Sequence, residues 1–207
     1  MKALSPLLLL ALLSAGCAWS ARPEIPTRYH IIQPSVDVPR AAEATDLVLA
    51  VEPLDSPGRY TTRIFYRSGG HAVGYHEFDR WAEPPAEMLT SALRSALQAA
   101  GVARVVADGR LVRNPAVTLQ GCLTRCDEVH GPDAWSAECA VELLLTWKLA
   151  GGEPVAIHLA ATRPAKAKTA AAVVEAMNDA AADIALKAAQ AVAKALAEHK
   201  APPAGGQ

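Results

Sequence analysis

The most specific chemistry in this chain belongs to a cysteine and the small residues directly before it. Lys2 precedes an apolar run from Leu7 to Leu13, and Ser14-Ala15-Gly16 then leads into Cys17. The run is too short to span a bilayer, but its length and flanks are typical of a secretory signal peptide. A cysteine at this place resembles the bacterial lipobox. We therefore expect cleavage between Gly16 and Cys17, with diacylation of the Cys17 sulfur.

The alternative is a plain signal peptide that ends near a cysteine. A lipidated Cys17 would anchor the mature chain to a membrane without spanning it, since several acyl chains together bind a bilayer firmly. Ala18 follows the cysteine, where an aspartate would favour retention in the inner membrane. By resemblance to lipoprotein sorting in Gram-negative bacteria, this implies a palmitoylated envelope lipoprotein on the periplasmic face of the outer membrane.

The three other cysteines could form a disulfide or bind a metal. In an oxidising compartment a disulfide is the first expectation, and Cys126 and Cys139 lie on two strands that a hairpin would place opposite each other. That register needs a one-residue bulge between Leu123 and Cys126. Metal binding by Cys122, Cys126, His130 and Cys139 is the alternative, but their spacing does not match common zinc sites. We predict the Cys126–Cys139 disulfide and no metal site.

Catalysis has little support in the sequence. No Gly-x-Ser-x-Gly, His-Glu-x-x-His or phosphate-loop motif occurs. The acidic pairs Glu77/Asp79 and Asp127/Glu128 are expected to be solvated at polar strand ends, and His71 to be exposed in a glycine-rich turn. The net charge of −1 gives no basic face for nucleic acid. We expect a protein that is not an enzyme, uses no cofactor and binds no nucleic acid.

The hydrophobic pattern predicts the elements that hold these residues. Helical periodicity covers two segments, from Trp81 to Gly101 and from Thr169 to about His199. Strands are expected at 29–32, 47–51, 60–67, 71–75, 102–106, 116–129, 135–149 and 154–162. This order predicts a single α+β domain, with a largely antiparallel sheet and two amphipathic helices on one face.

The predicted organisation has four parts. Residues 1–16 form the signal peptide, 17–28 the lipidated N-terminus and tether, 29–199 the domain, and 200–207 a disordered tail. Alanine is abundant and only 5% of residues are aromatic, which favours a tightly filled core.

A known family shares this arrangement of strands, hairpin and helix. The positions that carry the likeness are Pro53, Ile64, Tyr66, Arg67, Tyr75, Arg80, Trp81, Ala82 and Glu83. They resemble the ABC-type transport auxiliary lipoprotein family, which includes paraquat-inducible protein C. The lipobox, the later long hairpin and the C-terminal helix also follow the plan of that family.

The resemblance implies a noncatalytic component of an envelope lipid-transport system. Its partners would be a mammalian-cell-entry-type periplasmic protein and the associated ABC transporter, with self-association as a further expectation. Tyr66, Arg67, Arg80 and Trp81 are the candidate partner surface; alternatively, the aromatic residues belong to the core and Arg67 is a solvated strand residue. The alternative function is an independent outer-membrane lipoprotein that binds a lipid or small ligand in its own pocket.

Overall fold

The computed structural model describes residues 25–41, 45–148 and 152–199. The predicted signal peptide, the lipidation site Cys17 and the C-terminal tail lie outside these residues. Within these residues the chain forms eight strands and two long helices, with a short 3-10 helix at Gly109–Leu111. The strands are β1 (Arg28–His30), β2 (Thr45–Val51), β3 (Arg63–Ser68), β4 (Ala72–Trp81), β5 (Ala103–Asp108), β6 (Val117–His130), β7 (Trp135–Trp147) and β8 (Val155–Pro164). The helices are α1 (Pro85–Ala100) and α2 (Ala170–Glu198).

The eight strands form one mixed sheet, which confirms the α+β class. Antiparallel pairing joins β3 to β4 and runs through the long meander of β6, β7 and β8. Four further pairings are parallel: β1 with β4, β2 with β5, β2 with β6, and β3 with β6. The parallel pairs were not predicted. The pairing of β2 with β5 arises because the chain passes through the β3–β4 hairpin and α1 before β5 lies beside β2.

Strand β6 holds the sheet together. Its first residues pair with β2 and its last residues pair with β3, while its other edge pairs with β7 along nearly its whole length. The β6–β7 register places Cys126 opposite Cys139 and shifts by one residue between Leu123 and Arg125. The predicted bulge is therefore confirmed, and it keeps Leu119 and Leu145 paired in the core.

Local sequence explains where the helices begin and end. Pro84 and Pro85 start α1, where a missing backbone N–H costs nothing. The helix ends at Gly101, as predicted, and this glycine adopts the left-handed conformation with φ of 62°. Thr169 caps α2 by accepting a hydrogen bond from the Ala172 backbone N–H. Among the described residues, neither helix is both long and apolar enough to cross a membrane.

The core lies between the sheet and the two helices. α2 packs on β7, β8 and α1, while α1 packs on β5. Alanines of α2 let this helix approach the sheet closely, and its fully buried residues include Ala180, Ala185, Ala188, Ala189 and Ile184.

Candidate functional site

The candidate site is a group of aromatic and titratable side chains at the end of β6 and on the strands beside it. Glu128 and His130 lie two residues apart on β6, so both point to the same face of the sheet. Tyr66 of β3 lies opposite Glu128, and Trp135 of β7 lies opposite His130. His76 of β4 completes the group. We call these five residues the histidine–glutamate cluster.

Glu128 lies at the centre of the cluster. Its carboxylate is only 1% exposed, and it lies between two imidazole rings. The Nε2 atom of His76 is 2.9 Å from one carboxylate oxygen, and Nε2 of His130 is 2.5 Å from the other. The hydrogen bond to Glu128 raises the pKa of His76, against the opposing effect of burial.

Aromatic rings hold the imidazoles in place. His130 stacks on Trp135 with centroids 3.7 Å apart, and its other face stacks on Tyr66 at 4.7 Å. Tyr66 also makes an edge contact with His76 at 5.5 Å. The Tyr66 ring has room because Gly74, its partner on β4, has no side chain.

A second network lies on the opposite face of the same strands, because neighbouring strand residues point in opposite directions. Arg67 donates to Asp127 at 2.7 Å and to Glu138 at 2.7 Å. Asp127 also accepts a hydrogen bond from the Tyr60 hydroxyl at 2.5 Å. Burial and this hydrogen bond raise the pKa of Tyr60 to about 12. Arg125 extends the network to the surface through Glu138.

A third network joins β1 to β4. Arg28 donates two hydrogen bonds to Asp79, and Nε2 of His30 lies 2.7 Å from the same carboxylate. The hydrogen bonds from Arg28 and His30 lower the pKa of Asp79 to about 2, although burial opposes this. These contacts hold the three-residue edge strand β1 against the sheet.

The expectation of solvated acidic pairs was wrong for three of the four residues. Asp79, Asp127 and Glu128 are buried, with 5%, 4% and 1% of their surface exposed, whereas Glu77 is exposed. Each buried carboxylate has partners from a distant part of the chain, such as His76 for Glu128. The sequence offered only a weak signal, namely that Glu128 and His130 share a strand face. His71 is exposed, as predicted.

The four residues of the predicted partner surface lie in different surroundings in the structure. Trp81 is 2% exposed and belongs to the core, as the alternative interpretation held. Tyr66 and Arg67 point to opposite faces and are engaged in the histidine–glutamate cluster and the second network. Arg80 is half-buried. These four residues therefore do not form one continuous patch.

The cysteines do not form a metal site among the described residues. Cys122 and Glu142 pair across the β6–β7 strands and line an open groove, whereas Cys126 and Cys139 are buried on the helix-facing side. All three are free thiols in the structure, so the predicted disulfide is not formed there. The Cys126 thiol instead lies 3.8 Å from the Met177 sulfur. Burial raises the pKa of Cys139 to about 12.

The fold and these networks define a class of protein: an α+β domain with networks of buried polar side chains on both faces of one mixed sheet. The model of the family described as the ABC-type transport auxiliary lipoprotein component matches residues 29–189. The chain belongs to this family. The matched region falls within the domain predicted at 29–199, and an auxiliary component agrees with the expected noncatalytic role.

Solved structures share the fold. A crystal structure of a Xanthomonas campestris protein, assigned to the family DUF330, is similar with a TM-score of 0.70 and 16% identity. The similarity covers 83% of this chain and 98% of that one. The crystal structure of an uncharacterized protein has a TM-score of 0.64 and 15% identity, covering 81% and 99% of the two chains. Comparison with curated protein sequences gave no match.

Proposed function

We propose that this lipoprotein is a noncatalytic docking component of a phospholipid transport system. The system would contain an ABC transporter and a mammalian-cell-entry-type periplasmic protein, and it would contribute to membrane lipid asymmetry. A diacylated Cys17 would hold the domain at the periplasmic face of the outer membrane. The family match over residues 29–189 carries this proposal.

The filled interior favours docking over carriage of a lipid. A carrier needs an apolar cavity large enough for acyl chains. The space between sheet and helices is instead occupied by fully buried side chains, among them Leu49, Leu93, Leu119, Leu145 and Ile184. Two grooves in the described part of the chain, of about 520 and 450 Å³, are open to solvent. Their walls include charged residues such as Glu52 and Lys166.

Affinity purification from the native envelope tests the proposal. The full lipoprotein would be extracted in mild detergent, and retained proteins identified by mass spectrometry. We expect a mammalian-cell-entry-type protein together with transporter subunits. Recovery of the lipoprotein alone with bound lipid would overturn the docking proposal and favour the independent carrier. Cys17→Ser is the matched control. This variant cannot be acylated, so it should be absent from the outer-membrane fraction while its domain stays folded.

The candidate partner surface has its own test. Arg80 is half-buried on β4, and Arg104 on β5 is an exposed arginine that pairs with Asp46. If Arg80 contacts the transport partner, Arg80→Glu should reduce recovery of that partner severalfold, whereas Arg104→Glu should not. Equal recovery with both variants would remove Arg80 from the docking surface without affecting the proposed function.

A further inference from the structure

The domain buries three carboxylates in its described residues, and one differs from the other two in its partners. Asp79 is paired with Arg28, and Asp127 is paired with Arg67. Glu128 is the most buried of the three, yet within the described part of the chain no lysine or arginine pairs with it. Its partners are two imidazoles. A buried carboxylate is costly unless a positive charge or several donors compensate it.

The geometry of the imidazoles suits a cation. One ligand atom each from His76, Glu128 and His130 lies within 4.8 Å of the others. Donor atoms around a single zinc ion, each at about 2 Å from it, lie roughly 3 to 4 Å from one another. A small movement of the side chains would therefore place all three around one ion. Two histidines and one carboxylate form a ligand set that suits first-row transition metals.

The surrounding residues hold the ligands in position before any ion arrives. Glu128 and His130 project from the same face of one strand, and His76 projects from a strand two places away in the sheet. The stacks on Tyr66 and Trp135 restrict rotation of the His130 ring. Rigid support of this kind makes a metal site tighter, because less side-chain freedom is lost on binding.

The site is also accessible. The side chains of His76 and His130 are 18% and 17% exposed, so part of each side chain reaches solvent while Glu128 is covered. We propose that His76, Glu128 and His130 bind a divalent transition-metal ion such as Zn²⁺, with water in the fourth position. The sequence predicted no metal site, because the spacing of Cys122, Cys126, His130 and Cys139 does not match common zinc sites. His76 was not a candidate ligand there, and it lies far along the chain from Glu128 and His130. This site does not depend on the transport role.

Metal titration of the full lipoprotein in detergent, prepared without a histidine tag and treated with chelator, tests the proposal. We expect one Zn²⁺ per chain with a dissociation constant in the micromolar range or below. Co²⁺ bound to the wild-type protein should show the visible absorption of a low-coordinate nitrogen- and oxygen-ligated site. It should also quench fluorescence from Trp135, whose ring stacks on His130.

Variants locate the site. His76→Gln and His130→Gln should each weaken zinc binding by at least tenfold, with circular dichroism verifying that they fold. His158→Gln is the matched control, because His158 also lies near a carboxylate, Glu142, but in an exposed pair at 4.0 Å. Absence of zinc binding by the wild-type protein would overturn the proposal. So would unchanged affinity in folded His76→Gln and His130→Gln, or equal loss in His158→Gln. The Co²⁺ spectrum of the wild-type protein decides the matter if the variants do not fold.

Discussion

The ring of Tyr66 occupies the space above Gly74 that a side chain would need. A Cβ atom on Gly74 would lie 2.5 Å from both Cζ and the hydroxyl of Tyr66. Contacts this close force one group to move. The Tyr66 ring is confined by its stack on His130, so a change at Gly74 on β4 would be transmitted to β6.

Gly74→Ala should therefore lower the free energy of unfolding by about 1 kcal/mol, because the added methyl displaces the Tyr66 ring. In a Tyr66→Ala background the same substitution should cost little, since the clash is gone. A double-mutant cycle by chemical denaturation measures this coupling. Gly58→Ala is the control, because a Cβ there would meet nothing within 4 Å. Additive effects of Gly74→Ala and Tyr66→Ala would contradict the explanation.

Removal of Arg67 should destabilise the domain more than its partly exposed position suggests. Arg67→Met leaves the carboxylate of Asp127 buried without its arginine partner. The substitution also removes one of the two arginines that pair with Glu138. We expect a loss of about 2 kcal/mol in unfolding free energy. Arg104→Met breaks an exposed pair with Asp46 and should change stability by less than about 0.5 kcal/mol. Equal effects of the two substitutions would show that burial of Asp127 is not the cause.

Stability should fall in acid through Asp79. Hydrogen bonds from Arg28 and His30 lower its pKa to about 2, whereas an unfolded aspartate has a pKa near 3.8. Its contribution is therefore complete above the unfolded pKa, declines as the pH falls, and is lost below about pH 2. The amount is at most about 2 kcal/mol.

Asp79→Asn tests this pH dependence. The difference in unfolding free energy between wild type and variant should be constant above pH 5 and shrink between pH 4 and pH 2. Denaturation at several pH values measures it. A difference that stays constant down to pH 2 would mean that the pKa of Asp79 is not lowered.

We still predict a disulfide between Cys126 and Cys139, because the β6–β7 register places these two residues directly opposite each other. Burial raises the pKa of both thiols, to about 12 for Cys139, so little thiolate forms in the folded state. Since the thiolate is the reactive form, the bond should form during folding rather than afterwards. A loop of this length contributes about 3 kcal/mol in the chain-entropy model.

Peptide mass spectrometry of the lipoprotein, blocked with an alkylating reagent on extraction from its envelope, checks this pairing. The expected product is a Cys126–Cys139 linked peptide with alkylated Cys122. Cys122→Ser should leave the linked peptide unchanged. Alkylation of both Cys126 and Cys139 after denaturation without reductant would rule the bond out.

Much of the architecture follows from local patterns. Prolines at the start of α1, Gly101 at its end and the alternation along β6 and β7 specify elements through contacts within a few residues. The same alternation predicted the Cys126–Cys139 register and its bulge, because a slip of one residue would turn apolar side chains toward solvent. The family resemblance rested on similar local features.

The parallel strand pairs and the buried charges were decided only by the tertiary structure. Asp79, Asp127 and Glu128 look like solvated strand-end residues when their neighbours in the chain are considered. Each is instead buried with at least one basic partner from a distant segment: Arg28, Arg67 or His76. The energy of a buried carboxylate depends on where these partners lie in space, and strand order determines that position. A pattern of hydrophobicity describes which residues face the core, but it does not specify which distant strands become neighbours.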